Sequence, residues 1–266
     1  YDGKVWASDL YAYATVIAYN KEQFREAGLD PENPPKTWED FMAASKQLKE
    51  AGFAPFAAGF QGGWMFPVFG YFIYPQFFTF QDIKDAVLGK ISFTDPRFLE
   101  YWKALDEYAG AGYFIEAATS IDLAPGYQEW RKGNGAMVEL ASQQAMLWLE
   151  ELGSEKMGIM SWPEMNNQPV DWIPVCKNAE FITSWSPHKE IAADFLKFLH
   201  SEKSYELMRE IHPVSVPPDD RFDVNSIEDP QKREIFKMIY EGYKKETYFI
   251  DSIIPYPIMG DGMIPA

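Results

Sequence analysis

The carboxylates are the residues of this sequence whose type and setting most suggest chemistry. Glu139 lies in the apolar run AMVELA, where an acid is costly unless it is paired or faces a cleft. With a second carboxylate about 5 to 9.5 Å away, it would resemble the acid pair of a glycoside-processing enzyme. Solvated faces explain the neighbouring pairs Glu150–Glu151 and Asp219–Asp220 better. Structural pairing is also the favoured interpretation of Glu139, and the enzyme stays as an alternative.

The other reactive side chains are too sparse for the common catalytic or metal centres. His188, His200 and His212 each lie at or near a predicted helix end, and Cys176 is the single cysteine. Zinc needs clustered ligands, and a disulfide needs a second thiol. The segment KGNGAM at 132–137 lacks the G-K-[ST] ending of a phosphate-binding loop, and the sequence contains no G-x-S-x-G motif. We therefore predict a non-enzyme without metal or cofactor.

Composition and charge narrow the class of partner. The chain has 266 residues, of which 47% are hydrophobic, so it is long and apolar enough for one large or two modest folded domains. Its net charge of −16 and the lack of a basic stripe argue against nucleic acid and anionic membrane surfaces. The longest uncharged stretch, 51–81, is broken by prolines and glycines, which favours core and pocket lining over a membrane span.

Helices alternate with strands along the chain, which predicts α/β layers around parallel-rich sheets. Thr37 with Asp40 has the spacing of a helix cap, and Asp95–Pro96 is a typical helix start. The predicted strands cover 4–18, 135–140, 156–162 and 179–184. The predicted helices cover 20–28, 37–52, 95–112, 127–131, 141–152, 187–200, 201–211 and 227–246.

Three ordered segments resemble the family 1 extracellular solute-binding proteins, the group that includes maltose-binding protein. They are YDGKVWASDLYAYATVIAYNKEQFREAGLD, then PPKTWEDFMAASKQLKEAG immediately after it, and WRKGNGAMVEL further on. MGIMSWPE and SWSPHKEIAADFLKFLHSEKSYELM are similar to later parts of the family pattern. The first two segments are adjacent and in register, which makes the resemblance specific.

The resemblance implies the periplasmic-binding-protein type II fold, in which two α/β lobes are joined by hinge strands. It assigns 1–13 and 176–224 to the first lobe, and 14–175 and 225–266 to the second. The hinges are expected near Asp9 to Ala14 and near Trp172 to Cys176. Several βα units of the family have no counterpart before Tyr1. The first lobe is therefore expected to be incomplete, and the isolated chain to bind ligand poorly.

A sugar has hydroxyl edges and apolar C–H faces, so its receptor needs aromatic rings and hydrogen-bonding side chains. Aromatic residues make up 17% of this chain, and most of them are expected in the core. The resemblance places Trp64 at a turn where a related protein stacks an aromatic ring on sugar, and Tyr13 on a crossing strand. The other expected ligand-binding residues are Gln61, Ser142, Gln143 and Asp261. Core, capping or turn roles are open alternatives for these positions.

The predicted function is that of the sugar-binding component of an ABC importer, which captures a sugar or oligosaccharide by lobe closure. Its expected partners are the sugar and the importer's membrane subunits, and the protein itself is expected to be a monomer. The expected location is periplasmic or extracellular, with a lipid anchor possible in this family. A receptor for a peptide, polyamine or metal chelate is the second alternative, favoured if acids rather than Trp and Tyr line the cleft.

Overall fold

A computed structural model describes residues 7–63, 73–165, 175–211 and 223–244. The described strands are β1 (Ser8–Tyr13), β2 (Thr15–Asn20), β3 (Phe56–Ala57), β4 (Met137–Ala141), β5 (Met157–Met160) and β6 (Cys176–Glu180). The described helices are α1 (Lys21–Glu26), α2 (Trp38–Glu50), α3 (Phe80–Val87), α4 (Pro96–Gly110), α5 (Leu123–Arg131), α6 (Ser142–Leu152), α7 (Lys189–Leu199), α8 (Glu202–Ile211) and α9 (Pro230–Lys244). Short 3₁₀ turns occupy Tyr74–Gln76, Glu116–Thr119 and Val224–Ser226.

Two sheets organise these elements. The larger sheet has the order β3-β4-β2-β5, and the smaller one pairs β1 with β6. The pairs β1–β6, β2–β4 and β2–β5 are antiparallel, whereas β3–β4 is parallel. The expectation of parallel-rich sheets is therefore wrong for the described strands. β2 takes both neighbours from far downstream, and strand–helix alternation alone does not specify in which direction such distant strands run.

The strand predicted over 4–18 divides at Ala14. On one side of Ala14, β1 belongs to the small sheet, and on the other side β2 lies in the centre of the large one. Ala14 is fully buried, so the chain passes between the sheets through the protein interior. The strand predicted over 179–184 instead lies at Cys176–Glu180, because its partner is β1, and Tyr13 faces Cys176 in that pairing.

The local helix signals are confirmed. The Thr37 side chain accepts a hydrogen bond from the Asp40 amide at 3.1 Å, which satisfies a donor at the start of α2. Asp95 caps α4 at the predicted Asp-Pro start. α2 and α4 therefore begin where a short polar side chain accepts a hydrogen bond from a free backbone N–H.

Aromatic side chains fill much of the core beside the large sheet. The rings of Phe41 and Tyr108 stack with centroids 5.4 Å apart, and Phe56 meets Tyr108 edge-to-face at 6.2 Å. The Tyr108 hydroxyl is satisfied by Ser45 at 2.9 Å, as burial of a phenol requires. Much of the aromatic content thus serves packing, as expected.

The helix predicted over 187–200 is present as α7, but its apolar face is not covered in the described structure. Ile191 is 69% exposed, Phe195 58% and Phe198 47%. None of the side chains of α7 is buried. Among the described residues, no helix is long and apolar enough to cross a membrane.

Candidate functional site

The passage from β1 to β2 is clamped to the start of α6. The amide of Ser142 donates to the carbonyl of Ala14 at 2.8 Å, and the amide of Ala14 donates to Ser142 Oγ at 3.3 Å. Both residues have no exposed surface. Ser142 therefore has a structural role, because its hydroxyl oxygen accepts a backbone hydrogen bond, and its expected role as a ligand contact stays a prediction.

Tyr13 precedes this clamp directly and is partly exposed at the end of β1. It packs against the core and faces Cys176 across the small sheet. Tyr13 also influences Tyr127 of α5 electrostatically. The structure therefore places two tyrosines beside the point where the chain changes sheets.

Tyr127 connects this surface to Glu139. The hydroxyl of Tyr127, on α5, donates to Oε2 of Glu139, in the middle of β4, at 3.5 Å. Glu139 is 2% exposed, and Tyr127 is partly exposed. The tyrosine thus covers the acid and keeps part of its own ring at the surface.

Burial dominates the electrostatics of this pair. It raises the pKa of the Glu139 carboxyl to about 8, and the hydrogen bond from Tyr127 opposes that rise only in part. Burial also raises the pKa of the Tyr127 phenol, and the nearby Glu139 raises it further. At neutral pH both groups are therefore uncharged, which is how an apolar sheet tolerates an acid.

Two further polar atoms lie near this network. Thr15 pairs with Ala141, two residues along β4 from Glu139, so its side chain is on the same face of the sheet. Thr15 Oγ1 is buried and has no hydrogen-bond partner among the described residues, and the same holds for Gln143 Oε1 in the first turn of α6. Buried acceptors of this kind are usually satisfied, so both can take a donor from outside the described residues.

Gln61 lies beside the start of α5. Its side chain is exposed, and its backbone N–H donates to the Ile121 carbonyl at 3.0 Å. The preceding backbone packs tightly here, because a Cβ on Gly126 would approach the Ala58 carbonyl carbon to 2.8 Å. Gln61 therefore approaches the helix that carries Tyr127. Trp64 and Asp261 lie outside the described residues.

Among the described residues, no second carboxylate contacts Glu139 to form the acid pair of a glycoside-processing enzyme. Glu139 has a tyrosine as its hydrogen-bond partner, and no other described carboxylate influences its pKa. The described residues also contain no group of three or more His, Cys, Asp and Glu arranged to hold a metal ion.

Comparison with protein families decides the broader class. The family of bacterial extracellular solute-binding proteins matches residues 1–219. The chain belongs to this family. The resemblance seen in the sequence motifs is thereby confirmed, and this family consists of binding proteins.

Solved structures agree on the fold of this solute-binding protein. A chitin oligosaccharide binding protein superposes with a TM-score of 0.80 at 20% identity, covering 98% of this chain and 65% of its own. A family 1 extracellular solute-binding protein from Bifidobacterium longum subsp. infantis gives 0.72 at 20% identity, covering 100% and 68%. These structures confirm the type II fold, and this chain spans about two thirds of the length of the structures it matches.

Curated relatives match shorter segments of this solute-binding protein. The sn-glycerol-3-phosphate-binding periplasmic protein UgpB of Yersinia pestis is 43% identical over 61 residues, which are 23% of this chain and 14% of the relative. UgpB of Brucella abortus is 27% identical over 117 residues, or 42% of this chain and 27% of the relative. The matched part is thus well under half of either relative.

The sequence analysis named Tyr13 and Ser142, which lie at this candidate site, but did not name Tyr127 and Thr15. The available signal was Glu139 itself, since an acid in an apolar strand requires a polar partner. Tyr127 is the polar aromatic residue of the short helix that precedes this strand. Searching that helix for a partner would have found it.

Proposed function

We propose that this protein is the substrate-binding component of an ABC importer and captures a sugar or oligosaccharide in a cleft between two lobes. The observation that carries the proposal is the pair of partly exposed tyrosines, Tyr13 and Tyr127, at the junction of the two sheets. Partly exposed phenol rings offer an apolar face and a hydrogen-bonding edge, the two features that a sugar presents in return. Gln61 beside the start of α5 and Gln143 in the first turn of α6 are the proposed amide contacts.

The proposed lobes follow the change of sheet at Ala14. The first comprises 1–13 and 176–224 and the second 14–175 and 225–266, which puts β1 and β6 in one and β2 to β5 in the other. The uncovered apolar face of α7 supports a first lobe that continues in further chain, because isolated soluble domains rarely leave such a face open. The hinges are then proposed near Asp9 to Ala14 and near Trp172 to Cys176, of which 172–174 lie outside the described residues.

Lobe closure supplies the mechanism. A sugar that touches both lobes stabilises the closed state by its additional contacts there, and binding protein families of this kind are known hinge-closing systems. The closed form then docks on the importer's membrane subunits, as a monomer located in the periplasm or outside the cell, with a lipid anchor as one means of attachment. No bond of the sugar is broken in this scheme.

A phosphorylated solute is the second candidate, because both of the curated relatives described above are named for binding sn-glycerol 3-phosphate. A phosphate ester is bound most effectively by Arg or Lys. The residues of the described candidate site include neither Arg nor Lys. These residues are Tyr13, Thr15, Tyr127, Glu139, Ser142 and Gln143. The described chemistry therefore favours a neutral sugar.

Calorimetry on the full-length protein tests the proposal directly. Chitobiose, xylobiose, maltose and sn-glycerol 3-phosphate are titrated in turn, and each mixture is then analysed for cleavage products. We expect binding of at least one neutral sugar without turnover, together with a smaller radius of gyration in solution scattering. Exclusive binding of sn-glycerol 3-phosphate, or sugar cleavage by pure protein, would refute it.

A further inference from the structure

We propose that Tyr127 donates a hydrogen bond to the bound sugar and that Glu139 beneath it is a positioning residue that controls this donor. The inference rests on the proposed function, because it names a contact within that same site. It begins from an unusual arrangement, a buried acid in the middle of a strand whose hydrogen-bond partner is a partly exposed tyrosine.

The length of the Tyr127–Glu139 contact is the first argument. At 3.5 Å it is long for an O–H···O bond, which is normally about 2.7 to 2.8 Å. The phenol is therefore held weakly, and its hydrogen can turn to a better acceptor. A sugar hydroxyl or ring oxygen placed over the exposed part of Tyr127 is such an acceptor.

The protonation state of Glu139 decides how strongly it competes for that hydrogen. While the acid is neutral, its own O–H can donate to Tyr127 Oη, which frees the phenol hydrogen for a ligand. Once ionised, the carboxylate can only accept, and a charge-assisted bond of about 2.5 to 2.7 Å draws the phenol hydrogen inward. Since burial places the pKa of Glu139 at about 8, the neutral form prevails at neutral pH.

The described charged groups near Tyr127 are paired with other residues, so Glu139 is the group that governs the hydrogen bond of the Tyr127 phenol. Among the described residues, Tyr13 is the other titratable group whose charge affects Tyr127. Arg131, one turn further along α5, is occupied by its ion pair with Glu151 and lies over the Trp148 ring at 5.0 Å. Glu129 of the same helix is bound to Lys132 and Asn134. Influences on the pKa of Glu139 other than burial and Tyr127 are absent from the described residues.

The site is also tied to the hinge. Tyr13 lies directly before Ala14, and Ala14 is hydrogen-bonded to the first residue of α6. Thr15, the residue after the clamp, offers a buried oxygen without a partner among the described residues, on the sheet face of Glu139. A sugar bound across Tyr13 and Tyr127 would therefore lie where the chain crosses between the proposed lobes.

The experiment measures affinity for chitobiose, xylobiose and maltose in the full-length protein at about pH 6 and about pH 9. The variants are Tyr127→Phe and Glu139→Gln, with Tyr113→Phe as a control that removes a tyrosine hydroxyl from the core beside Tyr108. We expect Tyr127→Phe to bind the recognised sugar about tenfold more weakly at pH 6, the loss of about one good hydrogen bond. Tyr113→Phe should bind it as the wild type does.

The pH profile separates control by Glu139 from a merely structural role. Wild-type affinity should fall several-fold between about pH 6 and about pH 9, whereas Glu139→Gln, which stays neutral, should show a flat profile. Infrared difference spectra of wild type against Glu139→Gln should show the carbonyl band of a protonated carboxyl at pH 6. If Glu139→Gln does not fold, Tyr127→Phe replaces it in this test. Without the phenol hydroxyl, the affinity for the sugar should not fall further between about pH 6 and about pH 9.

The two proposals fail in different ways. If the wild type binds a sugar but Tyr127→Phe binds it equally well, or the wild-type affinity is the same at both pH values, this inference is overturned and the proposed function remains. If the wild type binds none of the three sugars at pH 6, the proposed function fails and the inference fails with it.

Discussion

Replacing Glu139 by glutamine should remove a large pH dependence from the stability of this protein. In the unfolded chain this carboxyl ionises near its ordinary pKa of 4.5, whereas in the folded protein it stays protonated up to about pH 8. Between these values the folded state binds the extra proton, so the free energy of unfolding falls as pH rises. The stabilising contribution is complete below about pH 4.5 and is lost above about pH 8.

The magnitude follows from the same two values. Raising the pKa from 4.5 to about 8, at about 1.4 kcal/mol per pH unit, corresponds to about 5 kcal/mol of stability lost across the window. This is a large part of the 5 to 15 kcal/mol typical of a folded domain. Glu139→Gln keeps the shape and the hydrogen-bonding capacity but cannot ionise, so its stability should change little in the same window.

Urea unfolding followed by tryptophan fluorescence measures the effect at several pH values between about 5 and 8. Glu129→Gln is the matched control, because Glu129 is only partly buried and hydrogen bonds from Lys132 and Asn134 lower its pKa. A lowered pKa matters only at acid pH, so this variant should keep the wild-type slope. Equal slopes for wild type and Glu139→Gln would show that Glu139 is ionised in the folded protein and would refute the reasoning.

Four other substitutions test the packing. Gly59→Ala should destabilise the fold by about 1 to 3 kcal/mol in urea unfolding, because the new Cβ would overlap the backbone carbonyl of Asp122. Gly110→Ala, where a Cβ meets nothing within 4 Å, should instead stabilise by about 0.5 to 1 kcal/mol, and a loss there would contradict the argument. Ser142→Ala should cost about 1 to 3 kcal/mol by leaving the buried Ala14 amide unpaired, and an unchanged melting temperature would exclude the clamp. Phe195→Lys should reduce self-association of the isolated 266-residue chain in analytical ultracentrifugation yet destabilise the full-length protein, since the proposed lobe would bury this side chain. Stability equal to wild type in the full-length protein would argue against that burial.

Local signals in the sequence predicted the starts of α2 and α4 but missed α3 and the first turn of α5, and they did not predict the strand partners. Thr37 with Asp40 specifies a cap within four residues, so the start of α2 could be read directly. The division of the first strand at Ala14 could not, because neither glycine nor proline marks it and its cause is a hydrogen bond to Ser142, 128 residues away. The antiparallel pairing of β2 has the same origin in distant contacts.

The candidate site shows the same contrast. Tyr13 could be proposed from the sequence because it lies in the first segment that resembles the solute-binding proteins. Tyr127 could not be chosen by type alone, since a partly buried tyrosine in a short helix is ordinary, and its importance comes from the acid beneath it. Glu139 was recognisable as unusual, but only the structure shows that its partner is a phenol.

The position of β2 in the large sheet also constrains the order in which the molecule can fold. Both neighbours of this strand, β4 and β5, are synthesised more than a hundred residues after it. Such non-local pairing slows folding and leaves apolar strand edges exposed while the chain waits. The sheet can therefore be completed only after synthesis has passed Met160, whereas the Ala14–Ser142 clamp needs the chain only as far as Ser142. A nascent chain that ends before Met137 has a central strand without partners in the described sheet.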